Sequence, residues 1–319
     1  MAMPAIQALR DEYVDAHITV LTKAHLGDLW RLHTVADSII EFGPGHAGTL
    51  EAVSRVRQGA FDVAYVMPNS FRSALIPFMG GVPKRTGLSG HSRAFMLNDV
   101  VRRADALADQ HQAWEYLAIV NLSPNDATEL RPHLKIEDSA RESIQHLGVD
   151  FEAPVRIAVM PGAAYGDAKR WPVESFCEVA EALVEKTHGQ ILLLGTRNEA
   201  EACASIVTRL PNNALSLAGR TTIPELAAAL DSCALAIAND SGGMHLAAGV
   251  RTPVVGIYGI TDPAKTGPMG QGHQIVLKDG VVRSRDLQRS SERALAALAA
   301  ITPEQVVTAA LSILNGQSR

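Results

Sequence analysis

Four consecutive segments decide the fold: VRIAVM (155–160), PGAAYGDAKRW (161–171), PVESFCEVAEALVEK (172–186) and QILLL (190–194). The first is apolar, β-branched and too short for a helix, so it reads as a buried strand. A glycine-bearing loop follows. Pro172 opens a helical pattern through Lys186, at the first-turn position that proline favours. QILLL is a second buried strand, ended by Gly195. Strands apolar on both faces, joined through a helix, are the unit of a parallel sheet covered on both sides.

The same alternation continues toward the C-terminus. Glu199–Leu210 and Ile223–Ser232 read as helices, the second with Thr222 as cap and Pro224 in its first turn. Leu235–Asn239, Thr252–Tyr258 and Gln274–Leu277 read as strands, and Asp240–Gly243 as a turn before a helix beginning over Met244–Ala248. Toward the N-terminus, helices are expected over Met3–Tyr13, Ser70–Phe78 and Arg102–Val120, and strands over HITVLT (17–22) and FDVAYVM (61–67). The polar stretch Asn121–Pro154 carries three prolines and marks a domain boundary. The expectation is an α/β protein of two Rossmann-like, doubly wound domains, 1–150 and 151–319. The chain opens on a helix, whereas a doubly wound half sets a strand before its first crossover helix. The first strand of the N-terminal domain is therefore expected to be absent.

Composition narrows the function. The 319 residues hold 29 Lys and Arg against 34 Asp and Glu, a net charge of −5, which gives no general attraction for nucleic acid. Cys177, Cys203 and Cys233 are odd in number and lack CxxC spacing, so neither a disulfide framework nor a zinc site is expected. They read as small core residues. Eleven histidines show no metal-ligand spacing, and no metal or cofactor is implied. No GxGxxG follows a strand, and no phosphate-loop Lys-Ser/Thr motif occurs. No apolar run has membrane-spanning length and no secretory leader is visible. A cytoplasmic protein is expected.

Open α/β sheets bind ligands beyond the carboxyl ends of their strands. Three loops there carry suggestive chemistry. In Pro161–Pro172 two glycines expose backbone amides, a helix start follows, and Lys169 and Arg170 add charge, which suits a diphosphate. A capped loop with two solvated cations fits equally. In Gly195–Glu199 the glutamate either accepts ribose hydroxyls or serves as a first-turn acid. In Asn239–His245, Ser241 and two glycines form a second amide cradle. Asp240 there either meets a sugar hydroxyl or caps the helix, and His245 either serves the ligand or the core.

These strings together resemble the ADP-heptose:lipopolysaccharide heptosyltransferases of glycosyltransferase family 9, above all the heptosyltransferase II branch. The matching stretches are PGAAYGDAKRWP (161–172), LAGRTTIPELAAAL (217–230), ANDSGGMHLAAGV (238–250) and VVGIYGITDP (254–263). AYVMPNSFRSALIPFMGGVPKRTG (64–87) and LNDV (97–100) extend the match through the N-terminal half. The resemblance implies a GT-B fold, two Rossmann-like domains facing a cleft, with the donor nucleotide on the C-terminal domain. It implies an inverting transfer of heptose from ADP-heptose to the lipopolysaccharide inner core. Lys169 matches the lysine on the donor diphosphate, and Asp240 the aspartate that meets the heptose; both are the expected catalytic residues. Ala164 and Tyr165 fall beside the phosphates, Thr196 and Glu199 at the ribose and Thr221 at the adenine wall. Ser241, Gly242 and Gly243 form the amide cradle, with His245 beside it. Asn69, Ser70, Arg72, Lys84, Arg85 and Arg93 are expected to face the acceptor. The expected partners are that donor and acceptor, the expected state a monomer, and the expected place the inner face of the cytoplasmic membrane. Family members start with a strand and a Gly-Asp loop bearing the presumed catalytic aspartate, and this sequence opens just past that point. The alternative reading is a nucleotide-sugar-binding homologue of weak or no activity.

Overall fold

The computed structural model describes residues 1–90, 92–102, 110–121, 131–283 and 291–317. The chain forms two compact units, Met1–Lys135 and Ile136–Arg319. The division precedes the expected 150/151 boundary. The helix over 138–146 belongs with the second unit, where Arg141 bonds Asp231 at 2.9 Å and Ser143 donates to Glu225.

The first unit runs α1 (Met3–Glu12), β1 (Thr19–Lys23), α2 (Gly27–Leu32), β2 (Ser38–Phe42), α3 (Gly45–Gly59), β3 (Val63–Val66), α4 (Phe71–Met79), β4 (Lys84–Leu88), β5 (Asp99–Val101) and α5 (Ala113–Ile119). Every strand pairing is parallel: β1 with β2, and β4 between β3 and β5. Among the described residues, β1 and β3 each pair along one edge only. Helices cover both faces. Leu21, Phe42 and Ala64 pack with Ala52, Val53 and Val56 of α3, while Tyr65 packs with Ala5, Ile6 and Leu9 of α1. Ser70 caps α4, its Oγ accepting from Ser73 N at 3.2 Å.

The expected elements at α1, β1, β3 and α4 are present. Of the helix expected over 102–120, residues 113–119 are helical and 103–109 lie outside the described residues. The strands β2, β4 and β5 and the helix α3 were not expected. Every residue of β2 is half-buried, so it lacks the alternation that marks a strand. The helix α3 has no side-chain cap to announce it.

The second unit continues α6 (Asp138–His146), β6 (Arg156–Met160), α7 (Val173–Thr187), β7 (Gln190–Leu193), α8 (Ala200–Arg209), β8 (Ala214–Ser216), α9 (Ile223–Asp231), β9 (Leu235–Asn239), α10 (Gly242–Gly249), β10 (Val254–Tyr258), α11 (Pro263–Thr266), β11 (Gln274–Leu277), α12 (Glu292–Ala299) and α13 (Pro303–Gln317). Its six strands form one parallel sheet in the order β11-β10-β9-β6-β7-β8. Both β9 and β10 are buried along their whole length. That is why their sequences read as unbroken apolar runs. The strand order reverses between β6 and β9, which opens a crevice beyond their carboxyl ends.

The helix α7 buries Phe176, Cys177, Val179, Ala180 and Leu183, one stripe at helical spacing. Pro172 is its N-cap rather than a first-turn residue. Trp171 is 1% exposed, stands edge-on to Phe176 at 5.0 Å, and donates Nε1–H to Ile301 O at 3.1 Å. This anchors the end of the 161–171 loop to the core. The strand β8 was not expected: it has three half-buried residues at a sheet edge. Thr222 caps α9, as the sequence predicts, and Glu225 caps it in return, which was not expected. The three cysteines are free and buried. No single described helix is long and apolar enough to cross a membrane.

Candidate active site

The loops after β6 and β9 flank the switch point of the second sheet. Asn239, the last residue of β9, ties them together from a fully buried position. Its Nδ2 donates to Pro161 O at 2.8 Å and Gly162 O at 3.3 Å, and its Oδ1 accepts from Trp171 N at 3.0 Å. One side chain therefore fixes both ends of the 161–171 loop. Within that loop Gly166 has φ of 110° and ψ of −167°, a conformation that L side chains rarely adopt. A short helical turn over Asp167–Lys169 follows.

That turn delivers Lys169 to Asp240. Lys169 Nζ lies 2.5 Å from Asp240 Oδ2 and 5.7 Å from the centre of the Tyr165 ring. The lysine side chain is 21% exposed and the aspartate 7%. Ala168 beneath is buried against Ala294 and Ala297 of α12 and against Ile260. The run over 283–300, for which the sequence offers no reading, thus supports this turn from α12, with 284–290 outside the described residues. Arg170 turns away to an exposed pair with Asp167 at 3.2 Å.

Asp240 leads directly into α10. Ser241 is the N-cap, in extended backbone and without a side-chain cap bond, so the first amides of the helix are left to a ligand or water. A Cβ on Gly243 would collide with Met160 Sδ, whereas Gly242 borders open space. The helix start thus packs tightly on β6 at one glycine and offers bare backbone at the other. His245 lies half-buried in the first turn. The Tyr258 hydroxyl donates to Thr266 O at 2.8 Å. Burial, with Asp240 nearby, pushes that phenol well above its usual range, so it stays protonated.

The second loop shows Glu199 engaged locally. Its Oε2 accepts from Thr196 N at 2.6 Å and Thr196 Oγ1 at 3.0 Å, a capping box, while its other oxygen lies against Gly162. Any side chain on Gly162 would meet that carboxylate. Thr221 stands in the next loop, which is held to the same edge through Gly219 N to Gly195 O at 2.9 Å. Ala164 and Tyr165 are exposed at the loop crown. Every expected donor residue therefore lies beyond the carboxyl edge of β6, β7, β8 and β9, on the loops there or in the first turn of α10.

The expected acceptor residues divide into two groups. Asn69, Ser70 and Arg72 stand at the turn from β3 into α4. Lys84 and Arg85 open β4, at the opposite edge of the same parallel sheet. Lys84 pairs with Asp99 at 3.3 Å. The Arg85 guanidinium serves Met96 O at 2.6 Å and Val82 O and stacks on Phe78 at 5.5 Å. Arg72 donates to Gly43 O at 3.2 Å over the Phe42 ring. Arg93 is fully buried. It donates to Leu88 O at 3.0 and 2.7 Å, to Asn69 Oδ1 at 2.9 Å, and to Pro68 O. It therefore shapes the turn that presents Asn69 and Ser70, rather than facing solvent itself. Sequence reading missed the positioning work of Asn239 and Arg93. The signal for Asn239 was its place before Asp240 at a strand end; for Arg93 no local signal existed.

Comparison with known proteins places these residues in a family. The profile of glycosyltransferase family 9 (heptosyltransferase) matches residues 50–294, which contain every site residue described above. The lipopolysaccharide heptosyltransferase 2 of Salmonella typhimurium is 31% identical over 99% of this chain and 94% of its own length. The protein of the same name from Escherichia coli is 31% identical over 86% of this chain and 83% of its own. The solved structure of the E. coli ADP-heptose lps heptosyltransferase II superposes with a TM-score of 0.84 at 27% identity, covering 100% of this chain and 95% of that one. The chain belongs to glycosyltransferase family 9, the heptosyltransferases.

Proposed function

We propose that this protein transfers a heptose from ADP-heptose to the inner core of lipopolysaccharide, with inversion at the anomeric carbon. The observation that carries the proposal is the convergence of Lys169, Asp240 and the bare amino end of α10 at the switch point between β6 and β9. A diphosphate needs positive charge and free amides there, and this crevice has both. Lys169 and the Ser241–Gly243 amides hold the departing diphosphate. Ala164 and Tyr165 flank it, Glu199 and Thr196 meet the ribose, and Thr221 borders the base. His245 supports the cradle from the first turn of α10. The names and likeness of the relatives support the choice of ADP-heptose and of a lipopolysaccharide acceptor.

In an inverting displacement the acceptor hydroxyl attacks as the bond to the diphosphate breaks on the opposite face. Asp240 sits on the side of Lys169, hence on the leaving-group side. Its charge serves the oxocarbenium-like transition state and the heptose hydroxyls, rather than taking the acceptor's proton. The turn bearing Asn69 and Ser70, with Arg72 behind it, receives the acceptor. Catalysis takes place at the inner surface of the cytoplasmic membrane.

Titration calorimetry with ADP and AMP tests the donor assignment. The protein binds ADP more tightly than AMP, and Lys169→Met removes about tenfold or more of that preference, as loss of a charge-assisted contact would. Equal affinity for ADP and AMP would overturn it.

A further inference from the structure

The two charged residues of the crevice neutralise each other. Lys169 is the residue expected to hold a diphosphate, yet its ammonium rests 2.5 Å from Asp240. Asp240 is 7% exposed, and Lys169 is its charged partner among the described residues. A carboxylate so enclosed is costly to leave unpaired. The lysine side chain is 21% exposed and its ammonium lies over the face of Tyr165, so it has room to move. The nearby buried Tyr258 offers no substitute, because its hydroxyl is spent on Thr266 O. A ligand that takes the ammonium must therefore bring Asp240 a new set of donors. The diphosphate end of a nucleoside diphosphate brings none; the sugar of a nucleotide sugar brings hydroxyls there.

We propose that Lys169 and Asp240 act as a charge exchange that couples donor binding to the sugar and product release to its loss. The inference rests on the donor assignment above. On binding, the ammonium passes from Asp240 to the diphosphate, and sugar hydroxyls replace it on the carboxylate. Every buried charge then stays paired. After transfer the sugar is gone and Asp240 is stranded. The carboxylate then competes with ADP for the ammonium, which weakens ADP and speeds its departure. Intact donor and spent product are thus told apart by the aspartate alone.

The test measures ADP and ADP-heptose affinity for the full chain, for Asp240→Asn, for Lys169→Met and for the double variant. Asp240→Asn is expected to bind ADP about tenfold more tightly than the parent, and to release it more slowly by a similar factor, as expected for freeing a half-buried ion pair. The same variant should lose its preference for ADP-heptose over ADP. The tightening must vanish when Lys169 is methionine, because the coupling belongs to the pair. Asp240→Ser gives the same readout should the asparagine variant not fold. Unchanged or weaker ADP binding in both Asp240 variants overturns the exchange, as it means that Lys169 bridges both groups at once. Tightening that persists without Lys169 also overturns it, since simple charge repulsion would then suffice. Lys169-dependent ADP binding with no tightening sinks the exchange and leaves the donor assignment standing, whereas a parent chain that ignores ADP sinks both.

Discussion

Asn239→Ala isolates the residue that shapes the crevice. The side chain makes three hydrogen bonds, to Pro161 O at 2.8 Å, Gly162 O at 3.3 Å and Trp171 N at 3.0 Å, from a fully buried position. Gly162 is half-exposed, so its carbonyl can turn to water. Pro161 and Trp171 are buried, so one carbonyl and one amide are left without partners. Each such group costs about 1–3 kcal/mol, so about 4 kcal/mol in all is a central figure. For a unit of this size that lowers the melting temperature by about 8–16 °C. The loop also loses the tie at each end, so Lys169 is no longer held in the crevice and ADP binds more weakly. Calorimetric unfolding and ADP titration of the same sample read both effects. A melting temperature within about 2 °C of the parent, with ADP affinity retained, would show that the three bonds do not organise the loop.

Other perturbations follow the same logic. Arg93→Met takes both guanidinium donors from the buried Leu88 carbonyl and frees Asn69, while Pro68 O keeps Ser73 Oγ at 2.7 Å, costing about 1–3 kcal/mol, and Arg93→Lys does not restore it because an ammonium lacks the forked donor geometry; urea unfolding of both variants decides. Hydrogen bonds from Ser143 and then the Thr222 amide hold the Glu225 carboxyl below its ordinary value of 4.5. Its stabilising effect is therefore complete above that value and lost as pH falls through the folded-state pKa. The gap in urea midpoint between the parent and Glu225→Gln should be open at neutral pH and close in acid; a pH-independent gap would contradict this. His33 is 1% exposed, neither ring nitrogen has a hydrogen-bond partner among the described residues, and burial, reinforced by His133, lowers its pKa from 6.5 to about 4. The unfolded chain takes up that proton first, so stability falls as pH drops from 6.5 toward 4. His33→Phe should flatten that part of the stability profile, and an unchanged slope would show that another group carries it.

The second unit was largely legible because its central strands are buried on both faces. VRIAVM, QILLL and the runs ending at Asn239 and Tyr258 leave no room for polar alternation, and Gly195, Thr222 and Asp240 punctuate them. The strand β8 escaped because three half-buried residues at an edge carry no period. In the first unit β4 reads KRTGL and β5 DVV, segments whose strand character comes from pairing rather than from local preference. The placement of the crevice residues was legible for a similar reason: Lys169, Asp240 and the glycines stand next to recognisable elements. The supporting residues were not. Arg93 has the composition of a solvent-facing cation, and only the carbonyls at 68 and 88, distant in sequence, make it a buried one. The packing of α12 beneath Ala168 joins residues more than a hundred positions apart, and nothing in either segment announces it.

The most direct test of the central claim is ADP release from ADP-heptose by the full chain, with and without a lipopolysaccharide inner-core acceptor, while the acceptor's mass is followed. Acceptor-dependent ADP release, with the acceptor gaining one heptose and the rate collapsing in Lys169→Met, is the predicted result. Firm ADP binding with no heptose gained by any inner-core acceptor would contradict the claim that this chain is a working heptosyltransferase.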